Sequence, residues 1–419
     1  MKKTVHKTIK VKIFNPTQVK KQFLGLLREN STILNHYVSR IEELGTTSKS
    51  RLHKETYHKL RKTSPLPSAI LQTARDKVVE AYKSYQTRKK HRRKASIPKF
   101  KDNTPVRLDE RTVKVVETDN KLKYFASVST QEGRIHVPLL GQRYQYKYLK
   151  KVLDGEFELG IAELHHIEDN FYLYFTIKKE VEIPTPNRSF TPVAIDLGLV
   201  NLAVSVTPSA IRFFNGRRVQ HKREEYAKVR RSLGKKKKLK KIREMQGKDQ
   251  RYIRDINHKI SSAIIEQARK VENPVIVLEN LKNIREKINF GKKMNRRLHN
   301  WNFRQLQDFI QYKAEWEGIP VVYLDARYTS RTCPKCGDAL KSNRKREKHI
   351  YKCHYCGYQL NDDLIGAINL SRNFYNSMSA VEGAAVNPAL NQSKWTATPL
   401  HCEVNQPVQD SGSHLFNRW

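Results

Sequence analysis

Two CxxC pairs, Cys333 with Cys336 and Cys353 with Cys356, lie 16 residues apart in CPKCGDALKSNRKREKHIYKCHYCGYQLNDDLIGAINLSR. That spacing suits a four-cysteine ribbon, in which two tight turns present four thiolates to one tetrahedral zinc ion. Gly337 and Gly357 follow the pairs directly, where such a turn favours a residue tolerant of positive φ. The alternative is a set of unmetallated or redox-active thiols. Four thiolates leave no open position for water, so a zinc here is structural and supplies the folding energy of a segment too small to bury a core. Chemistry must come from elsewhere.

Carboxylates offer it. Asp196 interrupts the apolar run VAIDLGLV, Glu279 closes PVIVLE, and Asp362 and Asp363 stand side by side before LIGAINL. Burying an unpaired carboxylate is costly, so each needs a partner. Plainer readings exist: Asp196 as a turn residue before Gly198, Glu279 paired with a buried arginine, Asp362 or Asp363 as a helix cap. Acids converging from two strands and a helix would instead hold two Mg2+ ions, or Mn2+, which take oxygen ligands. Two such ions, roughly 4 Å apart, activate water and stabilise a leaving oxygen in phosphodiester hydrolysis.

The chain that must position these groups has 419 residues, enough for two or three domains. Its 81 Lys and Arg against 41 Asp and Glu give a net charge of +40, spread along the chain, which points to a nucleic-acid partner. No apolar run approaches the roughly 18 residues of a membrane span. The start, MKKTVHKTIKVKIF, lacks the apolar block of a signal peptide. A cytoplasmic protein, close to the nucleoid of a prokaryote, is expected, with no membrane partner and no obligate protein partner. Cys402 stands alone in the tail.

Residues 4 to 14 alternate as a half-buried strand, and Asn15-Pro16-Thr17 breaks them. Helical spacing follows over about 18 to 46 and 67 to 90. The connector KKHRRKASIPKFK holds Arg92 and Arg93, after which alternating stretches return at RTVKVVET, KYFASVS, GRIHVPLL and FYLYFTIKKEV. Strands flanking a helical insertion suggest a β-barrel-like domain interrupted by helices. EIPTPNRSFTP reads as a linker. Beyond it, PVAIDLGLVNLAVSV, IRFFN, NPVIVLEN and PVVYLDA read as strands alternating with a long basic helical region over 224 to 270 and an amphipathic helix in WNFRQLQDFIQYKAEWEG, an α/β pattern. The stretch from Asn376 to Trp419 is expected to be disordered. Lys235, Lys236, Lys237 and Lys238 form either a phosphate-contacting face or a solvated loop. His258 is read as packed or exposed.

IDLGLVNLAV, VIVLENL, RRLHNWNFRQLQDFIQYKAEWEGIPVVYLDARYTSRTCPKCG and KCHYCGYQLNDDLIGAINLSR together resemble the RuvC-like, RNase H-fold nuclease half of TnpB, a transposon-associated RNA-guided nuclease related to type V CRISPR effectors. The resemblance covers roughly 190 to 375 and is looser before that. It implies an α+β multidomain chain: a wedge barrel (1–16 and 105–185) with a helical recognition domain (17–104), a RuvC-like domain (186–328 and 358–375) with an inserted zinc ribbon (329–357), and the tail (376–419). In the family the last acid opens Asp-x-Asn-Ala-Ala-x-Asn-Ile. Asp363 matches that acid, whereas Ile365 and Gly366 depart from the pattern. The resemblance implies catalysis by Asp196, Glu279 and Asp363, and a ribbon that helps guide the target strand toward the ions. It also implies a transposon-derived guide RNA and double-stranded target DNA as partners. Gln72 is similar in place to a residue that reads a short flanking motif, and Arg344 and Arg346 in the ribbon loop are candidates to meet the scissile phosphate. Two alternatives remain, a nuclease-inactive RNA-guided repressor and a compact type V CRISPR effector.

Overall fold

The computed structural model describes residues 1–91, 94–119, 121–281, 303–325, 327–345 and 348–381. The candidate contacts Arg92, Arg93 and Arg346, and nearly all of the expected tail, lie outside them. The chain divides into two units, Thr4–Glu180 and Met1–Lys3 with Val181–Trp419.

The first unit contains most of β1 (Lys2–Ile13), whose alternation buries Val5, Ile9, Val11 and Ile13 on one face. Three helices follow, α1 (Thr17–Leu44), α2 (Lys49–Thr63) and α3 (Ser68–Lys90). Helix α2 buries only Leu52, Thr56 and Leu60, too thin a stripe to stand out from its sequence. Strands β2 (Val106–Leu108), β3 (Val113–Glu117), β4 (Tyr124–Thr130) and β5 (Gly133–Leu140) precede helix α4 (Arg143–Leu153), and β6 (Glu158–Ile167) and β7 (Asn170–Glu182) follow it.

The expected barrel is corrected to an open sheet. Its strand order is β2-β6-β7-β1-β5-β4-β3, with β2 and β3 at opposite edges. The short β2 gives way to a turn in which the Thr112 hydroxyl donates to Asp109 and accepts the Asp109 N–H, so β2 does not extend into β3. Helix packing supplies the apolar cover that closure would have given: Phe23 of α1 lies against Phe171 of β7, ring centroids 5.2 Å apart.

The second unit carries the mixed sheet that matters for chemistry. Strands β8 (Thr191–Asp196), β9 (Asn201–Val206) and β10 (Ile211–Asn215) form an antiparallel meander. The basic helical region is not one helix but three, α5 (Arg217–Lys235), α6 (Leu239–Glu244) and α7 (Lys248–Ala268). Lys237 at φ 51° and Gly247 at φ 74° take left-handed conformations that no α-helix continues through. Strand β11 (Pro274–Glu279) then lies parallel to β8, and after α8 (Phe303–Trp316), β12 (Val321–Leu324) extends the sheet in the order β10-β9-β8-β11-β12.

One face of this sheet packs Val193, Ile195, Ile276 and Leu278 against Ile260 and Ile264 of α7 and Leu306 and Ile310 of α8. The other face packs Ala194, Val275 and Val277 against Leu370 and Phe374 of the last helix, α9 (Asp362–Val381). Strands buried on both faces explain the nearly continuous apolar runs. Between β12 and α9 lies a small antiparallel sheet, β13 (Arg344–Lys345), β14 (Ile350–Lys352) and β15 (Gln359–Asn361). Helix α9 continues past the 375 boundary through residues 376 to 381, where Ser379 is still buried. No helix among the described residues is long and apolar enough to cross a membrane.

Candidate active site

Parallel pairing sets Ile195 beside Leu278, so the next residues, Asp196 and Glu279, emerge side by side at the carboxyl ends of the two central strands. Asp196 thus belongs to a strand and not to a turn. It keeps some exposure at the strand end, yet protein surrounds its carboxyl. That loss of water is the first cause pushing its pKa well up, and the charges of Glu279 and Asp363 push the same way. Burial also raises Glu279, against opposing hydrogen bonds from Thr329 and Asp196. The Thr329 hydroxyl donates to Glu279 Oε1 at 2.9 Å, and the Gln307 side-chain amide holds the Glu279 backbone carbonyl at 2.7 Å.

The third acid arrives from the facing helix. Asn361 caps α9, its Oδ1 accepting from the backbone N–H groups of Asp363 and Leu364 at 3.0 and 3.3 Å. Neither aspartate is the cap, and both carboxylates are left for other work. Asp363 is buried, its Oδ2 accepts from Asn201 Nδ2 at 2.9 Å, and burial and then the charge of Asp362 raise its pKa. Asp362 is 1% exposed and receives Arg344 Nε on Oδ2 at 2.8 Å, while Arg344 Nη2 lies 3.4 Å from Asp363 Oδ1. Arg344 of the ribbon therefore rests on the acids.

The departures from the family pattern have local reasons. A Cβ on Gly366 would stand 2.9 to 3.2 Å from the Asp196 carboxyl atoms, so α9 runs close to β8 where its chain has no side chain. Ile365 is fully buried with Cys333, Tyr351 and Cys353, which seats the ribbon on the helix. Asn369 keeps the family residue and donates to the backbone carbonyls of Thr329 and Thr332 at 2.6 and 2.7 Å, fixing the chain's entry into the ribbon.

The four cysteines gather, with Sγ separations of 3.6 Å for Cys333 to Cys356 and 3.5 Å for Cys336 to Cys353. Tetrahedral ligands at about 2.3 Å stand about 3.8 Å apart, so the set fits zinc. Gly337 and Gly357 take φ of 82° and 69°, as knuckle turns require.

The other candidates lie on other elements. Lys235 to Lys238 are exposed in the break between α5 and α6. Gln72 is half-buried in the other unit, its Oε1 accepting from Arg111 at 3.2 Å. The His258 ring stacks on Phe309 at 4.0 Å and burial lowers its pKa to about 4, the signature of a packed histidine. Sequence reasoning missed Asn201, Thr329 and the Asn361 cap. Only the strand assignment of NLAVSV carried a signal, since it sets Asn201 at the start of a strand.

A family model described as "Probable transposase" matches residues 174–285, and one described as "Cas12f1-like, TNB domain" matches 303–370. A TnpB-like protein of Methanocaldococcus jannaschii is 33% identical over 251 residues, 56% of this chain and 85% of that protein. The chain belongs to the TnpB-like family. A CRISPR-associated endodeoxyribonuclease Cas12f1 of Sulfoacidibacillus thermotolerans is 28% identical over 383 residues, 85% of this chain and 88% of that protein. Among solved structures, a Cas12f1-sgRNA-target DNA complex shares the fold at TM-score 0.63 and 17% identity, over 88% of this chain and 99% of that one. The two acids at strand ends fall where the transposase model matches, and the cysteines and Asp363 where the TNB model does. The TnpB-like chain thus carries its acids and its thiols in matched segments.

Proposed function

We propose that this chain is an RNA-guided DNA endonuclease of the TnpB type, with Asp196, Glu279 and Asp363 as its catalytic acids. The observation that carries it is the meeting of these buried carboxylates, two on neighbouring parallel strands and one on the facing helix, with pKa values raised by burial in all three and by neighbouring carboxylates in Asp196 and Asp363. An acidic, oxygen-only set of this kind fits hard divalent cations such as Mg2+. When bound, the ions supply an acidified water and countercharge for the leaving 3′-oxygen. The chain's part is to aim its acids: Thr329 fixes one oxygen of Glu279 and Asn201 one oxygen of Asp363, while Arg344 stands 3.4 Å from the second oxygen of Asp363. Asp196 neighbours both and is the natural shared ligand. Hydrolysis in this arrangement leaves a 5′-phosphate and a 3′-hydroxyl.

In this reading Val181 onward is the RuvC-like nuclease unit, the four cysteines hold structural zinc, and Thr4–Glu180 is the wedge sheet with its helical recognition insertion. Base pairing to a guide RNA supplies sequence, while the protein reads shape, phosphate and a short flanking motif. The charge of +40 supplies phosphate contact without sequence preference. The similarity to Cas12f1 over 85% of the chain favours one second reading, a compact CRISPR effector with the same chemistry and a different RNA. Purification from cells carrying the native locus, followed by sequencing of the bound RNA, separates the two: RNA from the transposon end supports the first, repeat-spacer RNA the second. Cleavage of matched DNA by that complex, retained in Asp196→Ala, would refute the site.

A further inference from the structure

We propose that His349, Asp362 and Asp363 form a divalent-metal site of mixed nitrogen and oxygen donors that bridges the ribbon to helix α9, an inference that rests on the nuclease reading only through the shared Asp363.

Antiparallel pairing of Ile350 with Asn361 sets His349 opposite Asp362 just beyond the ladder, and the Asp362 backbone N–H donates to the His349 carbonyl at 3.3 Å. Ligand atoms of His349, Asp362 and Asp363 lie within 4.8 Å of one another. The two oxygens of Asp362 differ. Oδ2 accepts from Arg344 Nε at 2.8 Å, whereas Oδ1 is buried with no hydrogen-bond partner on a residue that is 1% exposed. Leaving such an oxygen unsatisfied costs about 1–3 kcal/mol, more when it is charged. His349 Nδ1 is 3.6 Å from it, too far for a hydrogen bond.

That gap suits two ligands of one ion. Donors at about 2.1 Å from a metal stand roughly 3.0 to 3.4 Å apart, so a small ring movement brings both into range. Arg344 then takes the place of an outer partner that orients a ligating carboxylate through its second oxygen. One imidazole and two carboxylates favour a borderline cation of the Mn2+, Co2+ or Zn2+ class over Mg2+. An ion here would tie the ribbon hairpin, and with it Arg344, to the first turn of helix α9.

The test uses the full-length, zinc-loaded chain with added Mn2+, read by pulsed electron paramagnetic resonance. The wild type should show modulation from an imidazole nitrogen bound to Mn2+. His349→Gln should lose it, Asp362→Asn should weaken the nitrogen-bound Mn2+ at least about tenfold, and Asp196→Asn should keep it. No imidazole modulation in the wild type, or modulation that survives His349→Gln, overturns the proposal. Zinc content per chain reports whether the ribbon is intact. If His349→Gln loses zinc, Asp362→Asn decides alone: zinc retained with unchanged imidazole modulation from bound Mn2+ overturns the site. DNA cleavage and its loss in Asp196→Ala report on the nuclease reading separately, so either reading can fail while the other stands.

Discussion

Both units set acids into their sheets, half-buried in the first and buried in the second, and treat them in opposite ways. In the first unit, Glu163 of β6 meets His165 Nε2 and Lys77 Nζ at 3.2 Å each, and its pKa falls to about 2, the His165 hydrogen bond contributing most. Lys77 moves down as well, since burial outweighs its carboxylate partner. The pair is thus a closed structural contact of modest worth. In the second unit, Asp196, Glu279 and Asp363 crowd together and are pushed up. A fold that only had to be stable would have supplied cations, as the first sheet does. In the second unit Arg344 reaches Asp362 and Asp363, yet Asp196 and Asp363 stay raised, and the proposed ions would supply the remaining countercharge.

The largest test of this contrast is activity. Asp196→Asn should reduce cleavage by at least about three orders of magnitude, the scale of losing charge stabilisation at a reacting centre, with guide and target binding unchanged in a gel-shift assay. Glu163→Gln should leave the cleavage rate within about twofold at a temperature where the variant is folded. Equal losses in both would erase the distinction.

Zinc removal comes next. Stripping the ribbon with a thiol-specific reagent that releases zinc should abolish cleavage, because Ile365 and Asn369 seat the ribbon on the helix that carries Asp363. Hydrogen exchange should show β13 to β15 and the first turns of α9 opening, with the sheet of Thr4–Glu180 still protected. Protection of α9 unchanged by zinc loss would mean the ribbon does not hold that helix.

How much of this was legible follows from the same contrast. Asp196 and Glu279 stood out because strands buried on both faces make near-continuous apolar runs, against which one charge is conspicuous. The cysteines stood out because their spacing is that of a four-thiolate zinc site. Asn201, Thr329 and the Arg344 pairing were hidden, because each acts across more than fifteen residues of chain on a partner chosen by packing. The open sheet was misread as a barrel because alternation reports which face of a strand is buried, not whether the edges meet. The basic region was legible as helical but its breaks were not placed, since nothing marks Lys237 as a residue that takes a left-handed turn.

Stability against pH should separate the units by sign. Glu163, depressed from 4.5 to about 2, contributes stability above about pH 4.5 that disappears as pH falls toward 2. Glu163→Gln should therefore cost on the order of 1 kcal/mol at neutral pH, and the difference from wild type should vanish in strong acid. The acids of the second unit are raised above their unfolded values near 4, so they oppose folding once pH passes those values, and the opposition is relieved as pH falls. Without added Mg2+, Asp196→Asn should melt higher than wild type at pH 7, by about 1 kcal/mol or more, and the gap should narrow toward pH 4. Saturating Mg2+ should reverse the order, since it stabilises only the intact set. A wild type that melts above Asp196→Asn in the absence of Mg2+ would show that the cluster is internally compensated.

The smallest effect probes the close approach of helix and strand. Gly366→Ala restores a residue of the family pattern, yet its Cβ would lie 2.9 Å from Asp196 Cγ, inside van der Waals contact. Buried packing yields little, so either α9 shifts outward or the Asp196 carboxyl rotates, and both change the spacing that the ions require. Cleavage should fall about tenfold to a hundredfold, as for a misplacement of about 1 Å, with most of the loss recovered by raising Mg2+ if the carboxyl only rotates. A shifted helix would not recover, because Asp363 would move with it and leave Asn201 behind. Metal titration of this one variant therefore distinguishes a displaced side chain from a displaced element, and full activity in it would show that the approach of α9 to β8 has slack the geometry does not reveal.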